Sequence, residues 1–185
     1  MSVATWTRFF ALLALAANLA TVLVVVAAIV GGGLRRRLRD LVAGQTLRLA
    51  ALVATVATAG SLYYSEVAHF VPCTLCWYQR IAMYPLVVLF GLAAWRRDHG
   101  IRPYAAVLAT VGAGIAAYHY LIQRFPSLDA GSCSLGVPCS TAYVLQFGFI
   151  TIPYMAFSAF TALAALLWLD RASADPVPSP STNQE

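Results

Sequence analysis

The chain has 185 residues, of which 61% are hydrophobic and 10% charged, with a mean hydropathy of +0.75. A soluble domain carries about 25% charged residues, so this composition excludes an ordinary water-soluble protein. The net charge of +5 comes from arginine alone, because the sequence contains no lysine, and the arginines fall where membrane orientation explains them better than nucleic acid does.

A transmembrane helix needs roughly 20 apolar residues. The first such run is 9–33. It exceeds the core of about 7–15 residues typical of a signal peptide, and no convincing A-x-A-like site precedes the arginines that follow, so it is expected to be a retained helix. Further runs occupy 46–64, 81–95, 103–122 and 147–169. The third extends backward if Trp77 and Tyr78 sit in the membrane interface, where such rings are enriched. Five spans are therefore expected, as an all-α membrane protein.

Arg35, Arg36, Arg37, Arg39 and Arg48 lie between the first two spans. Arg96, Arg97 and Arg102 lie between the third and fourth, and Arg171 follows the fifth. Positive-rich connections stay cytoplasmic. The segments 65–80 and 123–146 then face outward, as does the amino terminus with Arg8. The tail 172–185 is rich in breakers and lacks an apolar period, which predicts a disordered cytoplasmic end.

All four cysteines fall in the outward segments or at their edges. Cys73 and Cys76 form C-T-L-C, and Cys133 and Cys139 form C-S-L-G-V-P-C. Disulfides persist in oxidising compartments, so placement and chemistry agree. Pro72 is a helix-start signal, which puts Cys76 in or near the first turn of the third span. There, unpaired N–H groups and the helix dipole favour a thiolate. Arg80 lies one turn further along the same face, where a cation needs a partner or a route to the interface. It is placed to stabilise a Cys76 thiolate.

Blander readings compete at each position. The two pairs suit structural disulfides, and C-x2-C also suits a thiolate zinc site, although an oxidising exterior disfavours free thiolates. Arg80 alone would serve as an interfacial anchor. His119 suits proton transfer or, the reading favoured here, an interfacial histidine between Tyr118 and Tyr120. Glu66 either neutralises Arg80 or is solvated. His69 is expected in a loop, and His99 on the wrong side for this chemistry. Ala105, Ala109, Ala113 and Ala117 recur every four residues, a stripe suited to close helix packing.

The stretch SEVAHFVPCTLCWYQRIAMYPL, with YHYLIQ, CSLGVPC and QFGFITIPYMAF, resembles the DsbB family of membrane disulfide bond formation proteins, and within it the short-loop, BdbC-type branch. The resemblance covers about residues 47–168. It implies a DsbB-like four-helix transmembrane bundle, here with one extra amino-terminal transmembrane helix. The expected division is 1–45 for that helix and a basic cytoplasmic loop, 46–171 for the bundle with its two redox loops, and 172–185 for the tail.

The family further implies a quinone, ubiquinone or menaquinone, as cofactor and a secreted thioredoxin-like (DsbA/BdbD-like) partner at the bacterial cell membrane. The partner's thiolate would attack a Cys133–Cys139 disulfide, at Cys133. Cys139 would then attack a Cys73–Cys76 disulfide and free Cys76 toward the quinone, with Arg80 holding both in register. The family also implies that electrons flow from the partner to the quinone. A vitamin-K-epoxide-reductase-like enzyme is the enzymatic rival, but there the loop cysteines precede the C-x-x-C. A non-catalytic membrane protein with structural disulfides or a metal site is the rival of another class.

Overall fold

The chain, seen as a computed structural model, is described for residues 2–129, 131 and 137–171, with side chains through residue 169. Cys133 and the tail 172–185 lie outside the described residues. The described chain is helical throughout its regular structure. Helix α1 spans Val3–Val30, α2 Gly32–Val42, α3 Thr46–Leu62, α4 Thr74–Arg96, α5 Arg102–Arg124 and α6 Ile152–Arg171. Five stretches are long and apolar enough to cross a membrane: α1, α3 with the turn that follows it, α4, α5 and α6.

Local chemistry sets the ends. The Ser2 side chain caps α1 by accepting from the Thr5 amide at 3.3 Å, relieving one of the unpaired N–H groups every helix start leaves. Gly31, at φ 85°, breaks α1 from α2. The arginine-rich connection expected as a loop is thus mostly the helix α2. Its Arg35 guanidinium stacks over the Trp168 ring of α6, 4.8 Å from the centroid. Helix α3 runs into a π-helical turn, Tyr63–Val67, a device that redirects side chains at a helix end.

Two spans begin elsewhere than hydropathy alone predicts. Helix α4 starts at Thr74, so the polar run Thr74–Arg80 is helical and Cys76 belongs to the span. Helix α6 starts at Ile152 rather than at 147. The apolar residues before it form a tight turn in which Gln146 and Ile150 exchange backbone hydrogen bonds of 2.8 and 2.9 Å. Phe147 and Gly148 adopt φ of 53° and 77° there, which no helix tolerates, and Pro153 then suits the first turn of α6.

Helices α3 to α6 make an up-and-down bundle: α3 packs on α4, α4 on α5, α5 on α6, and α6 returns to α3. Helix α1 lies along α6. Leu86, Phe90, Phe160 and Leu163 are fully buried in the centre. Between helices in lipid the drive is close packing rather than transfer from water, and α5 shows how that is met. Its buried face is Ala105, Ala109, Gly112, Ala116 and His119, not the every-fourth-residue stripe expected from the sequence. With 3.6 residues per turn, a strict four-residue repeat drifts around the helix, so Gly112 and Ala116 take the inward places of Ala113 and Ala117.

Gly112 permits the closest approach. A Cβ there would sit 2.3 Å from the Phe160 ring, which is fully buried. Gly112→Ala is expected to destabilise the bundle by about 1–3 kcal/mol, the usual cost of overpacking. Thermal unfolding in detergent checks this, and an unchanged midpoint would contradict it.

Candidate functional site

The end of the bundle where α3 finishes and α4 begins collects the reactive side chains. Cys73 is the N-cap of α4, with extended backbone (φ −75°, ψ 173°), and its carbonyl accepts from the Trp77 amide at 3.2 Å. Cys76 sits one turn in. The expected Cys73–Cys76 disulfide is not formed here: both are free thiols, with sulfurs hydrogen-bonded 3.1 Å apart.

Cys73 is 6% exposed, and its thiol is held far below the usual value, at about 4. The hydrogen bond with Cys76 is the largest influence, burial opposes it, and His119 adds to the lowering. Two sulfurs this close share one proton, so the reduced pair carries one thiolate. Its thiolate absorbance is expected to persist at neutral pH and to vanish only as pH falls through about 4. Cys73→Ser should abolish that low transition. Thiolate absorbance that first rises near the ordinary value of 9.0 would contradict the assignment.

His119 is not an interfacial histidine. It is 1% exposed, on the inner face of α5. Its Nδ1 lies 3.1 Å from Gln79 Nε2, its Nε2 lies 3.1 Å from the Cys139 carbonyl oxygen, and the same Nε2 is 3.6 Å from Cys73 Sγ. A Gln79 N–H donating to Nδ1 leaves the proton on Nε2, where it is shared between the Cys139 carbonyl and the Cys73 sulfur. The imidazole therefore bridges the first cysteine pair to the second loop.

Cys139 is fully buried and disulfide-bonded. The Cys73 and Cys139 sulfurs and a ring nitrogen of His119 all lie within 4.8 Å of one another. A metal would need Cys139 as a thiolate, whereas that sulfur is committed to a disulfide, so the cluster suits sulfur exchange better than metal ligation. The loop that carries Cys139 is fastened to the end of α5: Gln123 Nε2 donates to the Thr141 carbonyl at 3.1 Å, Tyr120 to the Phe149 carbonyl at 3.1 Å, and Arg124 to the Gly148 carbonyl at 2.9 Å.

Arg80 is 9% exposed. Its Nε donates to Ser61 Oγ and an Nη to the Ser61 carbonyl, both at 3.1 Å, and its guanidinium stands 5.1 Å from the Trp77 ring centroid. Glu66 does not neutralise it. That carboxylate is exposed and accepts from Ser65 at 2.9 Å. Among the described residues no carboxylate lies within ion-pairing distance of Arg80. Its positive charge is held by neutral groups and stays available to an anion.

Arg80 and Cys76 both face a cavity of about 470 Å³ between α1, α3, α4 and α6. The polar lining gathers at the end where α4 begins, in Ser61, Tyr64, Ser65, Cys76, Gln79 and Arg80, and the remainder is almost entirely aliphatic or aromatic. Stacked rings of Tyr64, Phe70 and Tyr143, with centroids 5.9 and 4.8 Å apart in turn, join the α3–α4 and α5–α6 connections over it. Of the residues singled out from the sequence, the structure brings Cys73, Cys76, Cys139 and Arg80 to this end of the bundle, while Cys133 lies outside the described residues. Sequence reasoning missed Gln79 and the buried setting of His119, for which the only signal was the position of His119 on the alanine and glycine face of α5.

A thiol pair opening a membrane helix, coupled through a histidine to a second loop disulfide, defines a membrane protein built for thiol–disulfide chemistry. The sequence pattern of the family described as disulfide bond formation protein DsbB matches residues 43–169, and the chain belongs to that family. It is 46% identical over 119 residues to disulfide bond formation protein C of Bacillus subtilis, covering 64% of this chain and 86% of that protein. It is 46% identical over 110 residues to probable disulfide formation protein C 1 of Bacillus anthracis (59% and 79%), and 47% over 115 residues to a probable disulfide formation protein of Oceanobacillus iheyensis (61% and 79%). No solved structure matches the chain. The protein is accordingly a multi-pass membrane protein of disulfide formation.

Proposed function

We propose that the protein reoxidises a thioredoxin-like dithiol partner outside the cytoplasm and delivers the electrons to a membrane quinone. The observation that carries this reading is the double exposure of the Cys73–Cys76 pair. On one side Cys73 meets Cys139 and His119 within 4.8 Å. On the other, Cys76 lines the apolar cavity beside Arg80. A relay between a water-facing thiol partner and a lipid-soluble acceptor needs both faces.

The residues fit a quinone: a polar end with an unneutralised cation for an oxygen that gains charge, and an apolar remainder for a hydrophobic chain. When bound, the quinone supplies the electron sink, leaving as quinol with two electrons and two protons. The chain's own steps are thiol–disulfide exchanges. The partner's thiolate attacks the loop disulfide at Cys133, and Cys139 leaves as thiolate. Cys139 then attacks Cys73 of an oxidised Cys73–Cys76 pair, forming a Cys73–Cys139 bond and freeing Cys76. With Cys73 so engaged, the Cys76 sulfur has lost its hydrogen-bond partner, and Arg80 is the cation left to hold its charge. The Nε2–H of His119 keeps the Cys139 backbone and the Cys73 sulfur in register.

Orientation follows from the arginines. The cysteine end of the bundle faces outward, with the amino terminus on that side, while α2 and the 97–101 connection face the cytoplasm. Residues 46–171 then form the redox bundle and 1–45 an addition to it.

A variant retaining only Cys73 and Cys139 tests the relay. Mild oxidation is expected to join them in high yield, read by mass mapping of the linked peptides. Two thiols that stay separate under oxidation would remove the exchange step.

A further inference from the structure

Helix α1 lies outside residues 43–169, which carry the family pattern, yet it is fixed in register against the bundle. Ala11 and Ala27 are fully buried. Asn18 Nδ2 donates to the Tyr154 hydroxyl at 2.8 Å, and the Tyr64 hydroxyl donates to Thr7 Oγ1 at 3.4 Å. The Phe10 ring fills the space that Gly60 leaves, 3.2 Å from where a Cβ would stand. A helix serving only as an anchor needs none of these contacts.

Helix α1 packs on α6, and the space between α1 and α3 is the cavity itself. Phe9, Phe10, Leu13, Ala14 and Ala17 form one wall, and Val53, Val56, Ala57 and Gly60 face them from α3. Along α1 the wall passes from large aromatic residues at the Cys76 and Arg80 end to alanines deeper in. From Phe9 to Ala17 it runs about 12 Å at 1.5 Å per residue. Phe9, Leu13 and Leu52 line the cavity while remaining 48%, 38% and 59% exposed, so the seam between α1 and α3 opens to lipid.

We propose that α1 is a specificity-determining wall for the hydrophobic chain of the quinone: the ring sits at the Cys76 and Arg80 end, and the isoprenoid chain runs past Ala14 and Ala17 and leaves through the α1–α3 seam. This rests on the quinone reading above. It makes the added helix part of the binding site, with chain-bearing quinones distinguished from tailless ones.

The test is equilibrium binding to the full-length protein in lipid nanodiscs, read by quenching of tryptophan fluorescence, since Trp77 stacks on Arg80. Long-chain ubiquinone and long-chain menaquinone are each compared with their tailless rings. Ala17→Phe, and Leu13→Phe as a second variant at a partly exposed position, are expected to weaken long-chain binding at least tenfold and leave tailless binding unchanged. Leu19→Phe, at a position 62% exposed on α1 and off the cavity, is expected to change neither. Equal loss for long-chain and tailless quinones, or no loss for either, would overturn the role of α1 while leaving the quinone reading intact. A wild-type protein that binds no quinone would overturn that reading, and this one with it.

Discussion

Cys76→Ser is expected to lower quinol formation roughly a thousandfold or more, the scale of losing a nucleophile from a catalytic unit, while the chain still inserts and folds. Cys76 is the sulfur that meets both Cys73, at 3.1 Å, and the apolar cavity. A serine oxygen holds its proton far more tightly than sulfur and does not form a disulfide, so the pair loses its redox function without losing volume. The geometry around Cys73 survives, since its placement rests on the start of α4 and on His119. The variant should therefore remain able to link Cys73 to Cys139. Steady-state quinol formation separates the outcomes, and wild-type turnover in Cys76→Ser would remove this thiol from the mechanism.

Arg80→Met is expected to reduce quinol formation by about a hundredfold, in line with losing one preorganised electrostatic donor in a water-poor site. Methionine keeps much of the stem that packs in the bundle, so the loss reports the charge. Arg80→Lys should fall between the two, because an ammonium restores charge but not the paired donation to the Ser61 hydroxyl and carbonyl. Circular dichroism should show unchanged helix content in both. Full activity in Arg80→Met would mean that the cation only anchors the helix at the interface.

These expectations rest on features that differ in how openly the sequence displays them. Cys76 and Arg80 were legible because they lie on one helix at a spacing of one turn, and the apolar run after them identifies that helix. The spans were legible from hydropathy, with errors at their ends where polarity and turn chemistry compete. Thr74 to Arg80 is too polar to score as a span but is helical, because Cys73 begins α4 and Trp77 donates back to it. Residues 147–151 are apolar enough to score as a span but turn instead. The run Gly32–Val42 is interrupted by arginines and glycines, yet forms a helix with Arg35 resting on Trp168.

What no local pattern reveals is pairing across helices. The burial of His119 depends on α5 meeting α4 through Gln79 and on the Cys139 loop closing over it, contacts 40 and 20 residues apart in sequence. The role of α1 as a cavity wall depends on its register against α6, set by Asn18 and Tyr154 across 136 residues. Composition alone presents α1 as any lipid-facing span.

The central claim is that electrons pass from an outside dithiol through these four cysteines to a quinone. The most direct test is quinol formation followed by ultraviolet absorbance with the purified protein, a reduced thioredoxin-like partner and either quinone type. Quinol that requires protein, partner and quinone together, and is lost in Cys76→Ser and Cys133→Ser, is the predicted result. No quinol with either quinone from a folded, fully oxidised protein would contradict the account and leave the cysteines as structural bridges.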